Sequence, residues 1–217
     1  MVMLEEPFPP IVETLRRAAA ALRGSEVPFV LGGGLACWAR GGPESTNDLD
    51  LMVRPADAEA ALGALERAGM RTERPPEEWL YKAWDGDVLV DLIFRMVDGT
   101  VDDELLERSD ALNVASVRMR VMRVEDVLAS KLLALHEHHL EYEPLLRIAR
   151  ALREQIAWAE VLRRTRSSPF ARAYFTLLQG LDIVALPPAG GGEMTVRAEE
   201  PELQGAAAFG PVADQPH

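Results

Sequence analysis

Apolar residues recur along the chain with two different periods, and these periods divide it into helices and strands. After Pro9-Pro10 they recur at helical spacing until Gly24, which predicts a first helix. A short apolar run over residues 27–31 then ends in Gly32-Gly33-Gly34, and residues 35–40 have helix-forming composition. We therefore predict a strand, a glycine turn and a short helix, in that order.

The next segment, residues 48–53, alternates acidic and apolar side chains with a period of two, which predicts a strand. Asp48 and Asp50 then lie on one face of that strand, so both carboxylates point the same way. Residues 55–68 carry the apolar stripe of a helix, and residues 70–74 are compatible with a further strand.

A hairpin is predicted after this helix. Two strand-like runs, residues 79–84 and 87–95, flank Asp85-Gly86, a pair that suits a tight turn. The second run is apolar on both faces, which is typical of a central strand. Asp91 interrupts this run, so we expect a carboxylate in the interior of the sheet.

The second half of the chain is predicted to be mainly helical. Residues 114–123 have the alternation of a half-exposed strand, and helices are predicted near residues 124–140, 142–153, 154–165 and 169–182. The fold class that follows is α/β (α+β), a mixed twisted sheet flanked by helices, with a C-terminal helical region. We expect a catalytic domain over residues 1–123, the helical region over 124–186 and a disordered tail over 187–217.

The amino-acid composition limits the kinds of molecule that the protein is expected to bind. Of the 217 residues, 48% are hydrophobic and 27% charged, which fits a soluble globular protein. Twenty-three basic residues stand against 35 acidic ones, a net charge of -12, which disfavours nucleic acid as a partner while leaving tRNA open. A nucleotide is still compatible, because a cation held in an acidic pocket binds a triphosphate.

The cellular location is predicted from two kinds of feature that the sequence does not show, a secretory or membrane-spanning segment and a pair of cysteines. The first ten residues contain acids and prolines instead of a basic and then an apolar segment, and no apolar run approaches the roughly 20 residues of a membrane span. Cys37 is the single cysteine, which excludes an intramolecular disulfide and a zinc-binding cysteine pair. We expect a cytoplasmic protein with no membrane partner.

The acidic strand and the glycine turn form a candidate site for phosphate chemistry. Nucleotidyl transfer needs cations to neutralise a triphosphate, and Mg²⁺ prefers carboxylate oxygens. Asp48 and Asp50, joined by Asp91 from a neighbouring strand, can bracket a pair of such ions. Without side chains, the backbone of Gly32-Gly33-Gly34 can approach phosphate oxygens. The alternative is a plain turn with solvent-facing carboxylates, which Asp91 argues against because an isolated buried carboxylate is costly.

These elements occur in a familiar order. An apolar strand, a glycine pair, a short helix, Thr46-Asn47-Asp48-Leu49-Asp50-Leu51 and then Val90-Asp91-Leu92 resemble the DNA polymerase β-type nucleotidyltransferase superfamily. Within it, the chain is most similar to the minimal bacterial nucleotidyltransferases, including those related to the abortive-infection toxin component. The resemblance is close over residues 27–94 and loose over the helical remainder.

The resemblance implies a reaction and roles for residues. The protein would move a nucleoside monophosphate from an NTP, ATP included, to an acceptor hydroxyl of a small molecule, a protein or an RNA, with two Mg²⁺ ions. Asp48 and Asp50 would bind both metal ions, and Asp91 would complete the metal site and activate the acceptor hydroxyl. The nucleotide would be bound by Gly32, Gly33, Gly34 and Thr46.

Two positions depart from the family pattern. Many members have a serine where Gly34 stands, and toxin-like members often have an arginine where Glu44 stands. The first change removes a hydroxyl contact to phosphate, and the second affects toxin-like substrate recognition. They leave an alternative open, a non-catalytic nucleotide-binding or toxin–antitoxin partner protein. A homodimer or an antitoxin partner is compatible with either function.

Lys131 lies on an apolar helical stripe and has two interpretations. Family members often have a lysine at the start of the helical part that points at the phosphates or the acidic cluster, which makes Lys131 a candidate catalytic residue. The alternative is a lysine whose stem covers apolar surface while its charge reaches solvent.

Four other groups each have a functional and a structural interpretation, and the structural one is favoured. The histidines have a spacing that suits solvated helix residues better than metal ligands: His136, His138 and His139. The arginines suit a solvated strand edge better than a phosphate contact: Arg118, Arg120 and Arg123. Aromatic residues suit a core better than a base or acceptor pocket: Trp79, Tyr81 and Trp84. Cys37 suits a buried thiol better than a nucleophile.

Overall fold

Seven strands form one mixed sheet in the computed structural model, which describes residues 9–45 and 48–184. Their order across the sheet is β3-β4-β5-β2-β1-β9-β8. A separate two-stranded hairpin, β6-β7, follows β5 in the chain. The strands are β1 (Val30–Leu31), β2 (Asp48–Met52), β3 (Arg71–Glu73), β4 (Leu80–Asp85), β5 (Val88–Ile93), β6 (Arg95–Met96), β7 (Gly99–Thr100), β8 (Asp110–Val114) and β9 (Val117–Val121).

Eight α-helices surround the sheet within the described residues. They are α1 (Pro9–Gly24), α2 (Gly33–Trp38), α3 (Ala58–Arg67), α4 (Asp103–Arg108), α5 (Val124–Leu133), α6 (Tyr142–Leu152), α7 (Trp158–Thr165) and α8 (Pro169–Gly180). Helices α1 and α3 pack on each other and on β5, while α2 packs on β2 and on α5. None of the helices that the structure describes combines the length and the apolar character needed to cross a membrane.

The two central strands, β2 and β5, run parallel. Their apolar residues are buried completely, Leu49 and Leu51 on β2 and Val90 and Leu92 on β5, each with 0% exposure. These four residues share one face of the sheet, and Asp48, Asp50 and Asp91 lie on the other. Helix α3 lies between β2 and β5 in the chain and provides the crossover that two parallel neighbours require.

The predicted fold class is confirmed: the chain is a mixed α/β protein whose twisted sheet is flanked by helices. Several boundaries differ from the prediction. The first strand covers only Val30–Leu31, and the following helix begins at Gly33, so two of the three glycines are helical. Residues 114–123 are not one strand, because Ala115 and Ser116 adopt positive φ angles and turn the chain between β8 and β9.

The helix predicted over residues 124–140 is shorter than expected. Helix α5 ends at Leu133, and His136 and His139 pair with each other through both backbone N–H groups in a turn. The separation of a catalytic domain from a helical region near residue 123 stays a prediction. Thr46, Asn47 and the predicted tail over residues 187–217 lie outside the described residues, as does most of the acidic, proline-containing start of the chain.

Candidate active site

The register between β2 and β5 brings the three predicted carboxylates together. Asp50 pairs directly with Asp91 across the two parallel strands. Asp48 precedes Asp50 by two residues, so it lies on the same face of the sheet. One oxygen from each carboxylate lies within 4.8 Å of the others. Within the described residues this is the one group of three or more potential metal ligands that meets this spacing.

Burial disfavours the simultaneous ionisation of the three carboxyl groups in this cluster. Asp91 is 7% exposed, and desolvation raises its pKa. Burial also raises the pKa of Asp50 to about 7, with the negative charge of Asp48 as the next cause. Like charges at short distance in a poorly solvated site disfavour ionisation. A bound cation or a cationic side chain is needed to keep all three carboxylates charged at neutral pH.

Two lysines approach the cluster. The ammonium group of Lys82, on β4, donates to the Oδ1 atom of Asp91 at 3.2 Å. Lys131, on α5, lines the same cavity as the carboxylates, and its positive charge lowers the pKa of Asp50 against the effect of burial. The site therefore combines three carboxylates with two cations.

The glycine turn packs directly against the cluster. The N–H of Gly32 donates to the carbonyl of Asp50 at 2.9 Å, which fixes the turn to β2. Gly33 has a φ of +56°, and a Cβ at this position would lie 1.6 Å from the Oδ2 atom of Asp50. A residue with a side chain would displace the carboxylate, so the turn requires glycine here for both reasons.

Ser45 fills the space beside Gly34. A Cβ on Gly34 would lie 2.2 Å from the Ser45 Oγ atom. Both residues line the cavity that holds the carboxylates. The hydroxyl that many family members carry after the glycine is absent at Gly34, but the loop that leads into β2 brings another hydroxyl to the same place.

The cavity over the cluster has a volume of about 530 Å³, in the range of natural small-molecule sites. The sheet provides its floor, and α2, α5 and α6 provide its walls. It is lined by the three carboxylates and by Gly34, Cys37, Pro43, Glu44, Ser45, Trp79, Ile93, Lys131, Pro144, Arg147 and Ile148. The structure therefore brings together Asp48, Asp50, Asp91, Lys131 and Gly34 of the predicted site, with Gly33 against Asp50. Thr46 is outside the described residues.

The residues present fit a divalent cation. Carboxylate oxygens are the ligands that Mg²⁺ prefers. Three such groups within 4.8 Å of one another provide a charge that a cation would neutralise. Asp48, Asp50 and Asp91 are therefore the residues that would hold metal.

The other residues considered as functional candidates have surroundings that indicate structural roles. Cys37 is buried, and burial raises the pKa of its thiol to about 11, which opposes a nucleophilic role. The three candidate histidines, His136, His138 and His139, are exposed. The guanidinium of Arg120 donates to the carbonyls of Glu107 and Ser109, and Arg123 pairs with Glu160. The tyrosine hydroxyl of Tyr81 donates to Glu59 at 2.8 Å.

The other two aromatic candidates near β4, Trp84 and Trp79, have different surroundings. Trp84 is covered by the guanidinium of Arg71, 3.8 Å from its ring centroid. Trp79 is 43% exposed and lines the cavity. A role in the wall of a base or acceptor pocket therefore fits this residue better than a position in the core.

Sequence reasoning missed Lys82 and Ser45. The signal for Lys82 was incomplete: the observed two-residue turn is Gly86-Asp87 and pairs Lys82 with Asp91, whereas a turn at the predicted Asp85-Gly86 pairs Lys82 with Leu89. No comparable signal existed for Ser45, since a loop conformation determines its approach to Gly34.

A mixed sheet with clustered carboxylates on neighbouring strands and a glycine turn beside them is typical of enzymes that transfer phosphoryl or nucleotidyl groups. Comparison with known families agrees with this class. The chain belongs to the family described as uncharacterised nucleotidyltransferases, whose model matches residues 11–182. No curated protein matches the chain by sequence.

Solved structures of nucleotidyltransferases share the fold at low sequence identity. The crystal structure of ANT(2'')-Ia with adenylyl-2''-tobramycin aligns with a TM-score of 0.57 and 18% identity, over 76% of this chain and 98% of that one. The solution structure of the antibiotic-resistance factor ANT(2'')-Ia gives 0.54 and 18%, over 79% and 96%. An H. pylori protein described as a nucleotidyltransferase gives 0.50 and 18%, over 85% and 86%.

Proposed function

We propose that the protein transfers a nucleoside monophosphate from an NTP to an acceptor hydroxyl with the help of Mg²⁺. The observation that carries this proposal is the pairing of Asp50 with Asp91 in adjacent parallel strands, with Asp48 on the same face. This places three carboxylate oxygens within 4.8 Å of one another in a cavity of about 530 Å³. Membership of a nucleotidyltransferase family supports the class of reaction.

The proposed step is a single displacement at the α-phosphorus of the NTP. A bond forms between the acceptor oxygen and the α-phosphorus, and the bond from that phosphorus to the bridging oxygen breaks, releasing pyrophosphate. When bound by Asp48, Asp50 and Asp91, two Mg²⁺ ions would neutralise charge on the phosphates and on the attacking and leaving oxygens. Asp91 accepts the proton of the acceptor hydroxyl.

The remaining residues position the nucleotide. Backbone groups of the glycine turn, Gly32-Gly33-Gly34, face the phosphates, because the absence of side chains permits close approach. Lys131 offers a positive charge that lines the same cavity. Ser45 supplies the hydroxyl contact that the resemblance assigns to a serine at position 34. Thr46 stays a predicted nucleotide contact.

Membership of the toxin-like branch, with an antitoxin partner or a homodimer, stays a prediction, as does a cytoplasmic location. Glu44, which stands where toxin-like relatives often have arginine, lines the cavity and argues for a different acceptor.

A labelling experiment tests the proposal. Purified protein is incubated with each α-labelled NTP, Mg²⁺ and a cell extract, and both pyrophosphate release and the labelled product are measured. We expect Mg²⁺-dependent pyrophosphate release together with transfer of label to one class of molecule. Asp50→Asn and Asp91→Asn should abolish both while leaving the folded structure intact by circular dichroism.

Asp87 provides a matched control. It lies exposed in the β4–β5 turn, four residues from Asp91 and outside the cluster, so Asp87→Asn should keep wild-type turnover. Metal-dependent NTP binding without pyrophosphate release would support the non-catalytic alternative. Wild-type turnover by Asp50→Asn would rule out the assigned mechanism.

A further inference from the structure

An apolar groove lies next to the cavity of the carboxylate cluster. It has a volume of about 410 Å³, and six of its eight lining residues are apolar: Met52, Trp79, Ile93, Met96, Val97 and Ala134. Trp79 and Ile93 line the cavity as well as the groove, so the two spaces are adjacent. The described chain leaves two large apolar side chains exposed there, Trp79 at 43% and Val97 at 63%.

The sheet places this groove beside Asp91. Ile93 follows Asp91 by two residues on β5, so both side chains lie on the same face. The carbonyl of Trp79 accepts the N–H groups of Phe94 at 3.0 Å and Arg95 at 3.2 Å, which anchors the backbone of the tryptophan to the end of β5. An exposed indole on an anchored backbone is a suitable platform for an apolar ring.

The geometry of the reaction assigns the groove to the acceptor. In nucleotidyl transfer the attacking and leaving oxygens are roughly in line on opposite sides of the phosphorus. If the leaving phosphates lie toward the glycine turn and Ser45, then the acceptor enters from the β4–β5 side. That side is where Ile93 and Trp79 lie.

The charges around the acceptor space argue against a polycation. When Asp48, Asp50 and Asp91 bind metal, Glu44 is the one other carboxylate among the described residues that line the cavity. Lys131 and Arg147 line the cavity, and Arg95 lines the groove. A molecule with several positive charges would therefore meet more cations than anions.

We propose that the acceptor is a neutral or anionic hydroxyl compound with an apolar ring system, which lies in the groove against Trp79 while its hydroxyl reaches Asp91. This inference rests on the proposed nucleotidyl transfer and specifies its acceptor. It separates this chain from an enzyme whose acceptor is an aminoglycoside such as tobramycin.

Direct binding tests this inference without requiring turnover. Naphthylethanol, a neutral alcohol with an apolar bicyclic ring, and tobramycin, a polycation, are each titrated by calorimetry into protein loaded with Mg²⁺ and a non-hydrolysable ATP analogue. We expect naphthylethanol to bind and tobramycin not to bind. Trp79→Ala should weaken naphthylethanol binding about tenfold, because an aromatic platform contributes on the order of 1.4 kcal/mol.

Two variants separate the groove from the rest of the site. Ala134→Trp fills the groove from an exposed position at the end of α5 and should weaken naphthylethanol binding to a similar extent. Leu140→Ala removes an apolar side chain of similar exposure, 46%, that lines neither space, and should leave binding unchanged.

Binding of the ATP analogue, measured by a separate titration into each Mg²⁺-loaded protein, distinguishes the possible failures. If Trp79→Ala weakens the ATP analogue as much as naphthylethanol, the groove holds the nucleotide base and the inference is wrong. Binding of tobramycin, or no binding of naphthylethanol up to its solubility limit, also overturns it. Loss of nucleotide binding in the wild type would instead contradict the proposed function itself.

Discussion

Gly33 lies against the carboxylate of Asp50, with no room between them for a side chain. A Cβ on Gly33 would come within 1.6 Å of the Asp50 Oδ2 atom, and the φ angle of +56° is one that L residues rarely adopt. The glycine turn and the acidic strand are therefore one unit: the position of Asp50 depends on the absence of a side chain on its neighbour.

Replacing Gly33 by alanine tests this dependence. We expect Gly33→Ala to lower the free energy of unfolding by about 1–3 kcal/mol, from the positive φ and from crowding, and to abolish turnover because Asp50 is displaced. Thermal unfolding and pyrophosphate release measure the two effects. Gly63→Ala is the control, since Gly63 lies inside α3 and alanine is the better helix former there. It should keep full activity.

Ser45 and Gly34 allow a test of how the hydroxyl reaches the cavity. Gly34→Ser alone should reduce activity strongly, because its Cβ would lie 2.2 Å from the Ser45 Oγ atom. Ser45→Gly alone should raise the KM for the NTP by removing the hydroxyl. The double variant Gly34→Ser/Ser45→Gly restores both space and hydroxyl, so it should recover activity relative to either single variant. Additive losses in the double variant would contradict the direct contact between the two positions.

Much of this site could be predicted from local pattern. Alternation along β2 places Asp48 and Asp50 on one face, and the Asp85-Gly86 signal locates the β4–β5 hairpin. The observed two-residue turn is Gly86-Asp87, one residue later than predicted, and this shift pairs Lys82 with Asp91 instead of Leu89. Local periodicity is informative here because each of these relationships spans few residues.

Other relationships depend on distant parts of the chain and have no local signature. The parallel pairing of Asp50 with Asp91 requires a crossover through α3, and alternation alone does not tell which strands become neighbours. Asp126 is a second example, buried at 1% exposure and paired with arginines 18 and 38 residues away. Nothing in the pattern of α5 distinguishes this acid from a solvated one.

Asp126 joins three helices, and its removal should destabilise the protein. Arg108 on α4 donates to it at 3.0 Å and Arg164 on α7 at 2.6 Å. We expect Asp126→Ala to lower the free energy of unfolding by about 2–3 kcal/mol, because two partly buried guanidinium groups lose their partner. Urea denaturation measures the change. Glu154→Ala breaks an exposed pair with Arg153 and should change stability by less than about 1 kcal/mol.

The raised pKa of Asp50 predicts how the stability of the metal-free protein depends on pH. Burial raises this pKa in the folded protein from 3.8 to about 7. Between these two pH values the folded protein holds a proton that the unfolded chain has lost, so the contribution of Asp50 to stability falls as the pH rises. Each pKa unit corresponds to about 1.4 kcal/mol, so the loss should amount to a few kcal/mol at pH 7 and above.

Asp50→Asn removes this titration and isolates its effect. In EDTA the variant should be more stable than the wild type near pH 8, and the difference should shrink as the pH falls through 7 toward about 4, since the folded wild-type carboxyl is then protonated and the unfolded one begins to be. Added Mg²⁺ should raise the melting temperature of the wild type at pH 8 and should have little effect on the variant, because a metal that binds only the folded state stabilises it. An Asp50→Asn variant less stable than the wild type at pH 8 in EDTA would contradict the assignment of Asp50 as a strained, metal-binding carboxylate.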